Sequence, residues 1–329
     1  MNPFRYERAA DARGAIATLD ASPRGAYLGG GTNLVDLMKL GVATPDVLVD
    51  VAGLPFDRIV VRPDGGVSIG AAVKNSDLAA HRTIRTKYPV LSQALLAGAS
   101  GQLRNLASTA GNLLQRTRCV YFQDVTKPCN KREPGTGCPA RQGYHRNLAI
   151  LGASTACIAT HPSDMAVALS ALDAVVLVHG RSAERTIPLV DFHRLPGDEP
   201  QRDTVLEHGD LVCSVELPPL AFAANSAYRK VRDRASYAFA LVSVAAALDV
   251  TDGAVRDVRL ALGGVAHKPW RASEAERVLR GGPATEEAFG HAADVELAAA
   301  APLEQNAFKV KLARNVIVRT LLDLTEAPR

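Results

Sequence analysis

A two-domain α+β architecture is the fold class that the sequence predicts, on three observations. The chain has 329 residues, and domains of roughly 100–200 residues imply two of them. Short β-type runs and helical segments are mixed along the whole length. A clear apolar strand, DLVCSVELPP, is stopped by prolines just before Leu220–Ser226, and the C-terminal remainder of the chain is of typical size for one core. The expected domains are therefore 1–222 and 223–329.

Element by element, RYERAADARGAIATLDAS predicts a helix with Ala10, Ile16 and Leu19 on its apolar face. AYLGGGTNLVDLMKLG predicts a strand, a glycine turn and a helix that Gly41 closes. VLVDVAGL, DRIVVRP and GVSIGAA predict short strands, with Asp64-Gly65-Gly66 as a hairpin signal. NSDLAAHRTIRTKYPVLSQALLAGAS predicts a helix capped by Asn75 or Ser76. GQLRNLASTAGNLLQRTRC is rich in small residues and weakly periodic. Residues 120–147 predict a long loop, interrupted by Pro128, Pro134, Pro139, Gly135, Gly137 and Gly143. Such loops are commonly functional, or tied by something other than a core. STACIATHPSDMAVALSALDAVVLVHG predicts strand, helix, strand. In the second domain YRKVRDRA predicts a strand, SYAFALVSVAAALDV a helix and VRDVRLALGGVAHKPWRA a strand. The helices SEAERVLRGG, TEEAFGHAADVEL and FKVKLARNVIVRTLLDLTE come next, and the alanine-rich run Leu297–Ala301 is expected to be helical.

Composition removes several functional classes. Apolar residues make up 47% of the chain and the net charge is only +4, so disorder is excluded as the main theme. Mild charge and 5% aromatic residues argue against nucleic-acid binding. The richest apolar run, Ala235 to Val250, is broken by Ser236, Ser243 and Asp249, so membrane insertion is not expected. The start, MNPFRYERAADARGAIATLD, has no apolar core and early acidic residues. It predicts neither a secretory signal nor a transit peptide, which by itself implies the cytoplasm. An odd count of five cysteines argues against a disulfide framework.

Two features carry chemistry. Leu28-Gly29-Gly30-Gly31-Thr32-Asn33-Leu34 lies between a strand and a helix. It reads either as a tight turn or as a loop whose N–H groups, with Thr32 and Asn33, face phosphate oxygens. A second small-residue segment, Ala107 to Leu113, suits a dinucleotide clasped from both sides. The other feature is Cys119-x9-Cys129-x8-Cys138-x18-Cys157. No short CxxC pair is present, yet a loop wrapping one centre can bring such cysteines together at a slowly growing entropic cost. Thiolates select zinc or iron–sulfur clusters over hard cations. Arg116, Arg118, Lys127, Lys131, Arg132, Arg141 and Arg146 crowd the loop and would offset the negative charge of such a centre. Four free thiols on a basic face is the alternative. Cys213 reads as a buried structural thiol, Trp270 as packing, and His161 and His267 as hydrogen-bonded structural groups. No GxSxG, HExxH or recognisable Cys–His dyad is present, so no catalytic residue is assigned.

Several segments together resemble one family: LGGGTNLVDLMK, IGAAVKNSDLA, GASGQLRNLASTAGNLLQ, PSDMAVALSALDAVV, YRKVRDRASYAFALVSVAAAL and LALGGVAHKPWRA. They look like the FAD-binding (medium) subunit of the molybdenum hydroxylases, which include xanthine dehydrogenases, carbon monoxide dehydrogenases and aldehyde oxidoreductases. The likeness runs from about Phe4 to Asn315. The loop RTRCVYFQDVTKPCNKREPGTGCPA resembles that of bacterial periplasmic aldehyde oxidoreductases, whose flavin subunit carries an additional 4Fe–4S cluster. The corresponding subunit of 4-hydroxybenzoyl-CoA reductase has such an insertion too.

The resemblance implies a vanillyl-alcohol-oxidase-like (PCMH-type) FAD-binding domain of two α/β subdomains, then a C-terminal α+β domain. It implies a 4Fe–4S cluster on Cys119, Cys129, Cys138 and Cys157, within an insertion at about 116–157. Ala26, Tyr27, Leu28, Gly29, Gly30, Gly31, Thr32, Asn33 and Leu34 match the pyrophosphate-binding segment. Ser108, Thr109, Gly111 and Asn112 match flavin-contact positions. Asp164 matches the acid near the ribityl chain, and Leu211 and Lys230 match positions lining the FAD site. Where the family usually has Gly-Gly-Asn this chain has Ala110 first, so only Gly111 is expected to need special backbone geometry. Ser163 and Asp164 could also cap a helix, and Lys230 could belong to a solvated strand.

The same resemblance implies a heterotrimer. A large subunit would carry the molybdenum cofactor and oxidise an aldehyde, and a small subunit would carry 2Fe–2S clusters. An external acceptor would take the electrons. It also implies a periplasmic location by co-export with a signal-bearing partner. A stand-alone flavoprotein oxidoreductase, a subunit acting on aromatic CoA esters or heterocycles, and a zinc-stapled scaffold are the alternatives.

Overall fold

The computed structural model describes residues 1–326. Its first layer is a parallel sheet of β1 (Arg5–Arg8), β2 (Gly25–Leu28) and β3 (Val47–Asp50) in the order β1-β3-β2, with α1 (Ala12–Asp20) and α2 (Leu34–Lys39) as crossovers. RYER is thus a strand, not the first turn of a helix. Asp11 caps α1 by accepting from the Gly14 N–H at 2.7 Å, so the helix starts only after it. Ile16 and Leu19 pack beneath the sheet with Val47 and Val49.

Next in the chain is a five-stranded antiparallel sheet, in the order β4-β5-β8-β6-β7. Its β4 (Ile59–Val61) and β5 (Val67–Gly70) form the expected hairpin, with Gly65 at φ +88°. The segment expected to be one helix is three: α3 (Asn75–Ala80), α4 (Arg82–Lys87) and α5 (Pro89–Ala97). His81 is extended at the first break, and Pro89 denies Tyr88 the helical region at the second. Neither Asn75 nor Ser76 caps α3. Lys74 holds that position without a side-chain capping bond. Then come α6 (Gly101–Leu106), α7 (Thr109–Leu113), α8 (Val120–Gln123) and α9 (Asp164–Ala171).

The expected strand around 154–160 does not form. That stretch folds back on itself, with the Ala149 N–H donating to the Ile158 carbonyl and the Ser154 N–H to the Cys157 carbonyl. β6 (Val175–His179), β7 (Glu184–Pro188), α10 (Leu189–Phe192) and β8 (Leu211–Leu217) complete this sheet. β7 has no strand signature in the sequence because ERTIP is polar and mostly exposed at a sheet edge. Buried α9 packs with α5 and this sheet into the largest core.

The last sheet is antiparallel: β12 (Trp270–Arg271), β11 (Ala254–Gly263), β10 (Val242–Thr251) and β9 (Ser226–Val231) in spatial order. α11 (Ser273–Leu279), α12 (Glu286–Leu297) and α13 (Phe308–Glu326) cover one face. SYAFALVSVAAALDV is therefore largely a strand, not a helix. Val244, Ala246 and Leu248 face the C-terminal helices while Ala245 joins the first core, and a strand buried on both faces loses the alternating pattern. α12 ends at Leu297, and the Ala301 N–H then turns to the Ile150 carbonyl at 2.8 Å, so the alanine run is not helical.

Candidate functional site

The carboxyl ends of β2 and β3 open into a cleft between the two N-terminal sheets, the usual place for a ligand in parallel α/β layers. The glycine loop leaves β2 with Gly31 at φ +71°. A Cβ on Gly30 would fall into the Leu106 backbone carbonyl, and one on Gly29 would lie 2.9 Å from Ser108 Oγ. The glycines thus let two loops abut, as well as leaving room for a ligand. Gly111 sits inside α7 without positive φ. Its need is space, since a Cβ there would meet Ser108 Oγ at 2.9 Å, which corrects the expectation of special backbone geometry.

The cleft has an empty volume of ≈ 1240 Å³ including its open mouth. Ala26, Tyr27, Gly29 through Leu34, Ser108, Gly111 and Leu211 line it, as do Lys74 and Arg116. Leu28, Thr109 and Asn112 do not. Thr109 is fully buried with Oγ1 donating to the Val73 carbonyl, and Asn112 Oδ1 accepts from Ser163 Oγ at 2.6 Å. Asn33 Oδ1 accepts the Arg116 N–H at 2.9 Å, while its buried Nδ2 has no partner. Two cations, an orphaned amide donor and a glycine loop are a donor set that fits a dinucleotide pyrophosphate. Sequence reasoning does not single out Lys74. Its only signal is its place in the IGAAVKNSDLA segment, ahead of a helix.

A second cleft, with ≈ 790 Å³ of empty space including its open mouth, lies where the C-terminal sheet meets α9. Ser163 caps α9 by accepting the Ala166 N–H at 2.9 Å, which frees Asp164 to face the cleft. Asp164 Oδ2 takes a hydrogen bond from Lys230 Nζ at 2.7 Å, and Oδ1 takes one from the Tyr228 hydroxyl at 2.5 Å. Burial, then the Asp164 charge, pushes the Tyr228 hydroxyl well above its usual range. Lys230 is no solvated charge. Its side chain is 5% exposed, and it also reaches the Ala97 carbonyl at 3.2 Å.

The four spaced cysteines converge. Cys119, Cys129, Cys138 and Cys157 line one cavity, with ≈ 310 Å³ of empty space including what opens to solvent, walled by Phe122, Pro128, Ala140 and Ile158 among others. Backbone N–H groups of Phe122 and Tyr121 face the Cys119 sulfur. Those of Ile158, Ala140 and Arg141 face Cys138, and that of Ala159 lies 3.5 Å from Cys157 Sγ. Burial raises the thiols of Cys119 and Cys138 and pushes that of Cys157 to about 11, while Lys131 pulls Cys157 down. Among the described residues no three His, Cys, Asp or Glu side chains are grouped as a single metal ion needs. Four thiols around one apolar chamber, with several N–H donors facing the sulfurs, are a donor set that fits an iron–sulfur cluster. Cys119 lines the Asp164 cleft as well.

The remaining assignments hold. Cys213 is 2% exposed and its thiol is pushed up to about 11, burial first among the causes. Trp270 packs on the C-terminal core and donates to Glu296 at 2.7 Å. His161 bonds the Leu113 carbonyl and His267 the Arg194 carbonyl.

Sequence comparison agrees with this geometry. The family described as FAD binding domain in molybdopterin dehydrogenase matches residues 2–220, and that described as CO dehydrogenase flavoprotein C-terminal domain matches residues 226–324. The chain is thus an FAD-binding protein of α+β fold. It belongs to the FAD-binding subunits of the molybdenum hydroxylases, a family of oxidoreductases. It is 51% identical over 98% of its length to the aldehyde oxidoreductase FAD-binding subunit PaoB of Escherichia coli, covering 98% of that protein. It is 29% identical to the glyceraldehyde dehydrogenase medium chain of Sulfolobus acidocaldarius, over 84% of this chain and 81% of the other. In structure it resembles a chain of the reconstituted CO dehydrogenase from Oligotropha carboxidovorans, with a TM-score of 0.78, 22% identity and 100% of both chains covered. That last likeness concerns the fold. Among the described residues no helix is long and apolar enough to cross a membrane.

Proposed function

We propose that the chain is the electron-transfer subunit, carrying FAD and a 4Fe–4S cluster, of a heterotrimeric molybdenum-containing aldehyde oxidoreductase. A large subunit would hold the molybdenum cofactor, a small subunit 2Fe–2S centres, and an external acceptor would be the electron sink. The observation that carries the reading is the shared wall: Cys119 belongs both to the four-thiol cavity and to the Asp164 cleft. The 51% identity to an aldehyde oxidoreductase subunit supports the substrate class. Bound together, flavin and cluster supply reversible electron exchange between partner and acceptor, chemistry that no side chain here provides.

The residues of this chain bind and orient. Gly29, Gly30, Gly31, Thr32 and Asn33 would hold the pyrophosphate from one side and Ser108 and Gly111 from the other, with Lys74 and Arg116 offsetting its charge. Ala26, Tyr27, Leu34 and Leu211 would line the remainder. Asp164, fixed by Lys230 and Tyr228, would accept from the ribityl hydroxyls. Leu28, Thr109 and Asn112 would act by shaping the loops rather than by contact. Cys119, Cys129, Cys138 and Cys157 would ligate the iron. The division into 1–222 and 223–329, and a periplasmic location reached by co-export with a partner, belong to the same reading.

The test is anaerobic co-purification of the complex, with flavin analysis, iron analysis and EPR. The wild type should contain FAD and the signal of a 4Fe–4S centre in addition to 2Fe–2S signals. Cys129→Ser should lose the first signal and keep the others. A folded wild-type complex with no such signal would overturn the cluster.

A further inference from the structure

One carboxylate pairs with a cation from each cofactor region while lining neither the dinucleotide cleft nor the thiol cavity. Asp203 lies in the segment after α10, anchored by the Arg194 N–H donating to its carbonyl at 2.9 Å and by the bridge between His193 and Thr204. Its carboxylate forms ion pairs with Arg116 and, at 2.5 Å, with Lys131 Nζ. Among the described residues it is the only carboxylate paired with either cation. His267 Nε2 stands 3.7 Å from it. Burial pushes the Asp203 carboxyl up, but Arg116 and Lys131 outweigh that and hold it well below the usual carboxylate range.

The two cations point to different sites. Arg116 lines the dinucleotide cleft, its N–H holds Asn33 of the glycine loop, and its guanidinium stacks over Phe122 at 5.0 Å. Lys131 lines the four-thiol cavity, with a side chain only 1% exposed, and Nζ also donates to the Pro200 carbonyl at 2.7 Å. A lysine this buried keeps its place only with a partner, since an unpaired buried charge is strongly destabilising. Either cation without Asp203 would have a different position and a different field at its site.

We propose that Asp203 is a positioning residue shared by the two sites: it seats Arg116 on the dinucleotide cleft and Lys131 on the wall of the thiol cavity. The proposal rests on the reading of those sites given above. Cluster potentials depend on local charge and hydrogen bonding, so Lys131 raises the potential and Asp203 acts through it.

The experiment uses the assembled complex and two readouts: the FAD dissociation constant, and the cluster midpoint potential from an EPR-monitored redox titration. Lys131→Met should lower the midpoint and leave FAD affinity unchanged. Arg116→Met should weaken FAD by about tenfold, the loss of roughly one charge-assisted contact, with the midpoint unchanged. Asp203→Asn should move both, and Asp203→Glu should restore at least one of them. Added to Arg116→Met, Asp203→Asn should cost no further FAD affinity yet still move the midpoint. Asp203→Asn with either readout at its wild-type value overturns the proposal, as does parallel loss of flavin and iron in Lys131→Met, Arg116→Met and Asp203→Asn alike. A wild type lacking the cluster signal overturns instead the reading beneath it, and the proposal with it.

Discussion

At the residue scale, the glycine loop shows how a small side chain decides a site. Gly30 is needed because Leu106 offers a backbone carbonyl where its Cβ would stand, and backbone cannot step aside as a flexible side chain can. Gly30→Ala should separate the two loops and raise the FAD dissociation constant by about tenfold or more, a misfit of ~1.4 kcal/mol. Gly101→Ala is the control: a Cβ there meets open space at the start of α6, where alanine is the better helix former. Flavin fluorescence on dilution separates the two, and equal FAD affinity in both variants would sink the claim. Asp164 makes the complementary point. From sequence it is either a cap or a ligand. In the structure Ser163 does the capping, so Asp164 is left to pair with Lys230 and face the cleft.

At the scale of elements, β10 is the instructive case. Its alanines have high helix propensity, and SYAFALVSVAAALDV has no period-two alternation. It is a strand because two layers compete for its two faces: α13 packs on one and α9 and α5 on the other. Small side chains are what those crowded faces admit. Ala246→Leu should therefore overpack the C-terminal core, where Ala246 is fully buried, and cost about 1–3 kcal/mol. Thermal unfolding reads this directly, and an unchanged Tm would mean that the strand is not enclosed as described. The cysteine loop works in the opposite way. It has little regular structure, and its shape is held by polar anchors. Asn130 Nδ2 donates to the Ala156 carbonyl at 2.9 Å, and Arg132 donates to the carbonyls of Tyr121 and Phe122 at 2.6 and 2.7 Å.

On the scale of the whole molecule, buried histidines give stability a pH dependence. His193 is 2% exposed and His267 4%. Burial is the main cause that lowers each imidazole to about 4, against an ordinary value of about 6.5. As pH falls below about 6.5 the unfolded chain takes up protons that the folded one refuses. Stability is thus full at neutral pH, declines between about 6.5 and about 4, and changes no further through these groups below that. Each would contribute on the order of 3 kcal/mol across the window. Urea unfolding at pH 7.5 and at pH 5 should show a large drop for the wild type and a smaller one for His193→Gln. Identical drops would remove His193 from the account.

The sequence by itself determined the local and the collective. Glycines leading into Thr32 and Asn33 between a strand and a helix, the turn at Asp64-Gly65-Gly66 and the three amphipathic C-terminal helices were all legible, because turn chemistry and helical periodicity are short-range. The family was legible because many weak segments agree over nearly the whole chain. Only the tertiary structure decided that β10 is a strand and that Gly30 faces a carbonyl. It alone put Lys74 and Arg116 on the dinucleotide cleft and, of the many cations around the cysteine loop, Lys131 in the wall of the thiol cavity, with Asp203 between the last two. These depend on which layers stack and which loops meet, and contacts across more than about seventy residues, such as Lys131 with Asp203, leave no periodic trace in the chain that makes them.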